Sequence, residues 1–350
     1  MAIDAERENE RRMDKVYDRI VASISMKPRA IKKYAFRALS WVGYATRTLA
    51  IQELLVAISV EPKQYQLNDS DMFRFEDLLD ICNGLVIADG QDVRLVHFSV
   101  RNYLDRKQVI PEDTREMYRA IACSTYLSFD VFREQQWDRH ALDVFQGYAA
   151  SNLAFHLSKV ERRHDTDTTN AVMKLLEDEG HMCAYCNAND EFAKPLEIPC
   201  LHLACTIGYE DAVRTLLNDS GMDVNADDPT YRQRPLSWAV LMGHEAVVKQ
   251  LLDGDGVDPD CEGKEGKRPL ALAIRLKRTG IVRLLLQKGV EVNFTFREVS
   301  QSDYSTDSGI LGPGQHTNPN PYYLVRVSLN PLSTKERRVV NIDWLANTLL

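Results

Sequence analysis

Arg234-Pro235-Leu236-Ser237-Trp238-Ala239, followed by Gly243-His244-Glu245-Ala246-Val247-Val248-Lys249-Gln250-Leu251-Leu252, decides the fold. The same order of residue types recurs on both sides of it. The copies open at Pro199-Cys200-Leu201-His202-Leu203-Ala204, at Pro235 and at Pro269-Leu270-Ala271-Leu272-Ala273. Each continues into a Val-x-x-Leu-Leu core: Val213 to Leu217, Val248 to Leu252, Val282 to Leu286. Each closes on a glycine and a Val-Asn-like step: Gly221 to Asn225, Gly256 to Asp260, Gly289 to Asn293. The prolines stand 36 and 34 residues apart (235 − 199, 269 − 235). A period of that size means stacked supersecondary units rather than one closed core. Proline sets φ at the start of a first helix. Gly208 and Gly243 permit a left-handed turn into a second one.

This pattern resembles the ankyrin repeat, and the central copy is very close to the fungal ankyrin consensus. The resemblance covers residues 196–293 as three repeats. Three is near the minimum for a stable stack, so the array is expected to lean on its flanks. Two departures stand out. Ile198, Arg234 and Arg268 occupy the place of the usual capping Thr, which is expected to loosen each helix start by about 1 kcal/mol. Lys277 and Arg278 replace the usual Gly and His. The resemblance also implies that protein partners bind the finger tips and the first-helix face. Asp227, Asp228, Tyr231 and Arg232 fall in one finger, and Glu262, Lys264, Glu265 and Lys267 in the next. Thr206, Ile207, Tyr209, Leu241, Met242, Arg275 and Leu276 fall along the concave side. The candidate partner-binding residues are Tyr209, Asp227, Tyr231 and Arg232, together with Trp238, Met242, Lys264 and Arg275. The plain alternative is that these are solvated loops.

Residues 1–110 read as a second domain. Helical stripes occupy about 5–23, a stretch begun by Pro28, about 50–59, and about 71–82 after Asn68-Asp69-Ser70. Leu85–Ala88 and Val93–Val96 are strand-like and joined across Asp89-Gly90, a hairpin sequence. Ser99 is placed to cap a short helix. Helices followed by a hairpin make a winged-helix-like domain. Residues 111–195 carry further helical patterns and read as a helical linker covering the open end of the array. Residues 294–350 read as an irregular tail, rich in Ser, Gly, Pro and Asn over Gln301–Pro321. Val339–Leu345 within it has the pattern of the second helix of a degenerate fourth repeat. The fold class is mainly α: a winged-helix-like domain with a β-hairpin, a helical linker and a short ankyrin-repeat solenoid.

Four motifs in the first domain resemble the region after the NACHT domain of fungal NACHT–ankyrin proteins, which are NOD-like STAND signalling proteins. They are Arg37-Ala38-Leu39-Ser40-Trp41, Arg47 to Leu54, Cys82-Asn83-Gly84-Leu85-Val86, and Val93-Arg94-Leu95-Val96-His97-Phe98-Ser99-Val100-Arg101-Asn102-Tyr103-Leu104. Tyr148 to Leu157 resembles the family too, with Leu153 where Trp is usual. Ala50 stands where the family often has a capping Ser or Thr, which leaves the start of that helix less defined. The resemblance gives His97 a nucleotide-phosphate contact if a NACHT domain is supplied; the simpler reading is a histidine bonded to a backbone carbonyl. The phosphate-cradling pattern G-x-x-x-x-G-K-[ST] does not occur in the chain. No cofactor is expected, and no catalytic constellation presents itself.

Charge and cysteines bound the remaining choices. The net charge of −8 supplies no basic field toward nucleic acid or anionic lipid. Residues 1–110 hold 17 Lys and Arg against 16 Asp and Glu. Lys27, Arg29, Lys32, Lys33 and Arg37 cluster on the second helix, so a DNA-binding regulator is the second reading, ranked well below protein binding. Seven cysteines in a chain opening on charged residues fit a reducing location, cytoplasmic or else nuclear. Cys183-x-x-Cys186 with Cys200, His202 and Cys205 has some zinc-ligand character. The last three occupy ordinary repeat positions, and no metal site is assigned. No apolar run is long enough for a membrane span.

Overall fold

Lys27-Pro28 separates the first two helices of the chain. In the structure, a computed structural model, residues 2–67, 70, 72–133, 144–160, 165–188, 198–263 and 268–291 are described. The chain divides into two units at Val160, and each is taken by itself. Helix α1 spans Ala2–Ser25, and α2 spans Arg29–Tyr44 with Pro28 at its N-cap. Ala35, Ala38, Leu39 and Trp41 form the buried face of α2. The chain then turns extended, makes a two-residue strand β1 (Leu49–Ala50), and enters α3 (Ile51–Ser59). Ala50 has no side-chain acceptor to cap α3. Glu53 answers from the other direction, taking the Ala50 N–H at 2.8 Å while Arg47 grips both of its oxygens.

Helix α4 is shorter than expected, Phe75–Ile81, and begins after Arg74 with no side-chain cap. Asn68 and Asp69, two of the expected caps, lie outside the described residues. The hairpin forms where Asp89-Gly90 places it, with β2 (Val86–Asp89) antiparallel to β3 (Asp92–Leu95) and Val86 opposite Leu95. Gly90 takes φ +66°, as the tight turn demands. A third strand joins them: β1 pairs with β3 through Leu49 and Val93, giving the order β1-β3-β2. Two residues are too few to show a strand period, so the sequence carries no sign of it. Helix α5 (Phe98–Arg106) follows, capped by His97 rather than Ser99. Helix, strand, two helices and a hairpin make the winged helix.

The linker expected over 111–195 is not one body. Its first half belongs to the first unit as α6 (Glu112–Leu127), a 3₁₀ turn (Asp130–Phe132) and α7 (Gln146–Val160). Trp41 explains why. Its indole is fully buried and ringed edge-on by Tyr118, Phe145, Tyr148 and His156, all contributed by or just before α6 and α7. Arg119 of α6, also fully buried, donates to the Ser40 carbonyl of α2 at 2.7 Å. A chain ended at residue 113 would strip this cover, forfeiting about 3 kcal/mol for the indole alone. Residues 1–113 are expected to give a broad, non-cooperative thermal transition and residues 1–160 a sharp one; equal cooperativity would contradict this packing.

The second unit opens with α8 (Thr166–Leu176) and α9 (Glu179–Ala188). Three helix pairs follow: α10 (Cys200–Ile207) with α11 (Glu210–Leu217), α12 (Pro235–Met242) with α13 (Glu245–Asp253), and α14 (Pro269–Arg275) with α15 (Thr279–Gln287). First helices stack on first helices and second on second. Helix α8 packs on α10 and α11, the place a preceding second helix would take. It carries Val172-x-x-Leu175-Leu176, a further copy of the core motif, 41 residues before Val213 (213 − 172). Gly208 and Gly243 end the first helices at φ +83° and +82°, and Lys277 adopts φ +54° in the third. The tail, including the stretches Leu324–Val327 and Val339–Leu345, lies outside the described residues. Among the described residues no helix is long and apolar enough to cross a membrane.

Candidate partner-binding surface

Asp228 shapes the first finger, the loop from 218 to 234. Its sequence, Asp-Pro-Thr, is a side-chain turn. The carboxylate is fully buried; Oδ1 accepts from Thr230 N and Tyr231 N, and Oδ2 accepts from Gln233 N and Trp238 Nε1, at 2.6–3.0 Å. Arg232 completes the turn at φ +51°. His202 ties the base of this finger to its helix. Its Nε2–H donates to the Ala226 carbonyl at 2.9 Å, and burial holds its pKa below the usual histidine range.

Neighbouring fingers are laced together by a device that recurs. Asn225 donates to the Gly256 carbonyl and accepts from Asp258 N at 2.9 Å. Asp260, its counterpart one repeat on, accepts from Glu291 N with both oxygens at 3.0 Å. Arg234 pairs with Asp227 of its own finger and Asp258 of the next, at 3.4 and 2.9 Å. Arg268 pairs with Glu262 and, across the gap, with Glu291. Neither arginine caps its helix, as expected from the lost Thr. The guanidinium instead bridges two fingers, which offsets the missing cap. Each such part-exposed pair contributes about 0–1 kcal/mol, so the gain is alignment of the fingers more than stability. These four residues were not among the sequence candidates. Their signal is the recurrence of Asn225/Asp260 and Arg234/Arg268 at the repeat spacing.

The sequence candidates divide. Asp227 and Arg232 stand exposed on the finger, Arg275 is exposed on the first-helix side, and Tyr231 and Met242 are half-buried. Tyr209 and Trp238 are corrected: both are buried, 1% and 0% exposed, and present no surface to a partner. Trp238 fills the register position of Leu203 and Leu272, a core position, and stacks edge-on against Tyr231 at 5.7 Å. Tyr209 holds the position after the turn glycine, whose side chain reaches back to the preceding layer. Its hydroxyl meets Thr169 Oγ1 of α8 at 3.1 Å, as His244 Nε2–H donates to the Thr206 carbonyl one repeat later. Thr206, Ile207 and Asp228 are buried as well. Lys264, Glu265 and Lys267 lie outside the described residues.

The other candidates take structural places. His97 Nδ1 accepts from Ser99 N at 3.2 Å and lies 2.7 Å from Ser99 Oγ, so it caps α5 by accepting an N–H rather than by donating to a carbonyl. Its ring is exposed. Among the described residues no three His, Cys, Asp or Glu side chains are disposed to hold a metal ion. Burial raises the thiols of Cys186, Cys200 and Cys205, the state of packed rather than reactive cysteines. Of the basic cluster, Lys33 and Arg37 are paired with Glu61. Helix α4, which would enter a DNA groove in a winged helix, exposes Glu76, Asp77 and Asp80. That charge opposes a phosphate backbone.

Residues 22–113 match the winged helix domain of GPI inositol-deacylase, and residues 165–262 and 201–295 match ankyrin repeats in three copies. The chain carries ankyrin repeats and a winged-helix domain. The ankyrin match opens at Asp165, the N-cap of α8, in agreement with the extra core motif found there. The winged-helix match ends in the first turn of α6, although the buried shell around Trp41 continues through α7.

Proposed function

We propose that this chain is a non-catalytic protein–protein interaction module of a STAND-type signalling or innate-recognition protein, binding partners through its ankyrin repeats. The laced fingers carry this reading. Asp227 and Arg232 are held on a rigid edge, Met242 and Arg275 lie on the first-helix side, and ordering cost on binding is kept low. The winged-helix half serves as the docking partner of a NACHT domain, in the same polypeptide or another, and the resemblance of the His97 motif supports that role. Nucleotide is expected to come with that domain, since the chain has no phosphate-cradling loop of its own. A cytoplasmic place of action fits seven free cysteines.

The test is capture of partners on the immobilised full chain. Asp227→Ala with Arg232→Ala, and separately Met242→Ala with Arg275→Ala, are expected to lower capture about tenfold, a loss of roughly 1.4 kcal/mol. Undiminished capture by both pairs would place the interface elsewhere. ATP hydrolysis by the chain would overturn the non-catalytic reading. Salt-sensitive retention on duplex DNA, lost on replacing Lys32 and Lys33, would put a DNA-binding regulator in its place.

A further inference from the structure

The charges of the ankyrin unit are sorted by edge. The described finger residues, 218–234 and 254–263, hold eight carboxylates against two arginines. Residues 268–290 hold six cations and no carboxylate. Two of the six are paired: Arg268 with Glu262 and Glu291, and Lys288 with Asp253. Three of the others, Arg275, Lys277 and Arg278, fall within four residues at the turn from α14 to α15. All three are exposed, and none joins an ion pair among the described residues.

This turn continues the one before it. A Cβ built on Gly243 would lie 2.6 Å from the Arg278 guanidinium carbon, so Arg278 covers the turn from α12 to α13. Beside it lies the His244 ring, which gives its Nε2–H to the Thr206 carbonyl. Burial, and then the charge of Arg278, hold that ring below the usual histidine range, so it supplies no counter-charge. Glu245 supplies none either. Its carboxylate lies against Gly280, where a Cβ would collide with it, and it joins no ion pair among the described residues. The same two turns show apolar surface: Leu241 and Met242 on one, Leu276 on the other, each half-buried.

Lys277 stands in a left-handed conformation, φ +54°, where Gly208 and Gly243 serve the other two turns. That region suits glycine and disfavours any side chain. An acidic segment is the occupant that fits this edge. Its carboxylates answer three unpaired cations, and its apolar side chains meet Leu241, Met242 and Leu276. The finger carboxylates repel it from the other edge and so fix where it lies. A nucleic acid brings phosphates but little for the aliphatic surface, and it meets the same repulsion. Resting on the reading that the array binds protein, we propose that the turn edge of the second and third pairs takes an acidic peptide segment, with apolar residues spaced between its carboxylates, on Arg275, Lys277 and Arg278.

Fluorescence anisotropy tests this with the full chain and a short labelled peptide in which pairs of glutamates flank single leucines. The control is the same peptide with lysines for the glutamates. The glutamate peptide is expected to bind at least about tenfold more tightly, and to weaken at least about threefold as salt rises from about 50 to about 300 mM. Arg275→Glu with Lys277→Glu should lower its affinity at least about tenfold. Lys277→Gly removes one charge and gives the left-handed position the residue that suits it. It should weaken binding about threefold without lowering the thermal midpoint. Arg283→Glu, on α15 beyond the turn, should change binding less than about twofold. Equal binding of the two peptides would overturn the proposal. So would an Arg283→Glu loss as large as that of the turn pair, which would reduce the effect to net charge, or a single-stranded DNA oligomer that outcompetes the glutamate peptide, which would assign the cations to phosphate. If the glutamate peptide fails to bind while partner capture persists, the array still binds protein, but not protein of this chemistry.

Discussion

Glu116→Ala is expected to cost the first unit about 3–5 kcal/mol, the usual loss when one partner of a buried ion pair is removed. Glu116 accepts from Arg119 at 2.7 Å with one oxygen and from His156 Nδ1 at 2.8 Å with the other. Burial alone would raise its pKa, but the His156 bond and the Arg119 charge outweigh burial and hold it below the ordinary value. Burial pushes His156 below its own ordinary range against the pull of Glu116, so the imidazole is neutral. Its Nδ1–H donates to Glu116, and Nε2 accepts from the Tyr148 hydroxyl at 3.1 Å. That hydroxyl in turn accepts from Thr46 N at 3.2 Å. One chain of bonds thus joins α6 and α7 to the segment before β1. Without the carboxylate, Arg119 stays at zero exposure with no counter-charge. The loss is measured by urea unfolding with exchange read in α6 and α7. Glu116→Leu with Arg119→Met should recover at least about half of it, because the pair then leaves no stranded charge. A loss under about 1 kcal/mol for Glu116→Ala would mean the network carries no weight.

Most of the element pattern was legible because it is local. The repeat period, the turn at Asp89-Gly90 and the stop at Pro28 each depend on a few adjacent residues. What was not legible depends on which surface a stripe meets. The pattern of Met117, Ile121 and Tyr148 says that α6 and α7 bury a face, but not that Trp41 lies under it. The Val172, Leu175 and Leu176 pattern reads as a helix but not as a repeat copy, because α9 follows it and stretches the spacing to 41 residues (213 − 172). His97 replaced Ser99 as the cap because a ring nitrogen does the work of a hydroxyl. On the candidate surface, residue type alone places Tyr209 and Trp238 outward. Comparing register positions, with Leu203 and Leu272 beside Trp238, would have turned the indole inward.

The same comparison could not have found Asp228, whose expected loss is the second largest. Aspartate in a finger reads as solvated, and only the indole ten residues on makes it a core residue. Asp228→Ala is expected to cost the ankyrin unit about 3–4 kcal/mol, since it strands two buried donors, Gln233 N and Trp238 Nε1, at about 1.5–2 kcal/mol each, while the part-buried Thr230 N and Tyr231 N can turn to water. All four partners are N–H groups, so both oxygens must accept. Asp228→Asn therefore gives little relief: its NH₂ would face two donors on one side. The expected readout is an earlier unfolding of the second unit, with exchange rising first across residues 225–240. Interrepeat effects should follow, because the finger that Asp228 shapes also carries Asn225, which bonds to the next finger, and Asp227, which pairs with the Arg234 that bridges to it. Asn225→Ala, which cuts a rung but leaves the turn intact, should cost about 1 kcal/mol and leave residues 228–233 protected. If Asp228→Asn were as mild as Asn225→Ala, the finger would be held by the repeat stack and not by its buried carboxylate.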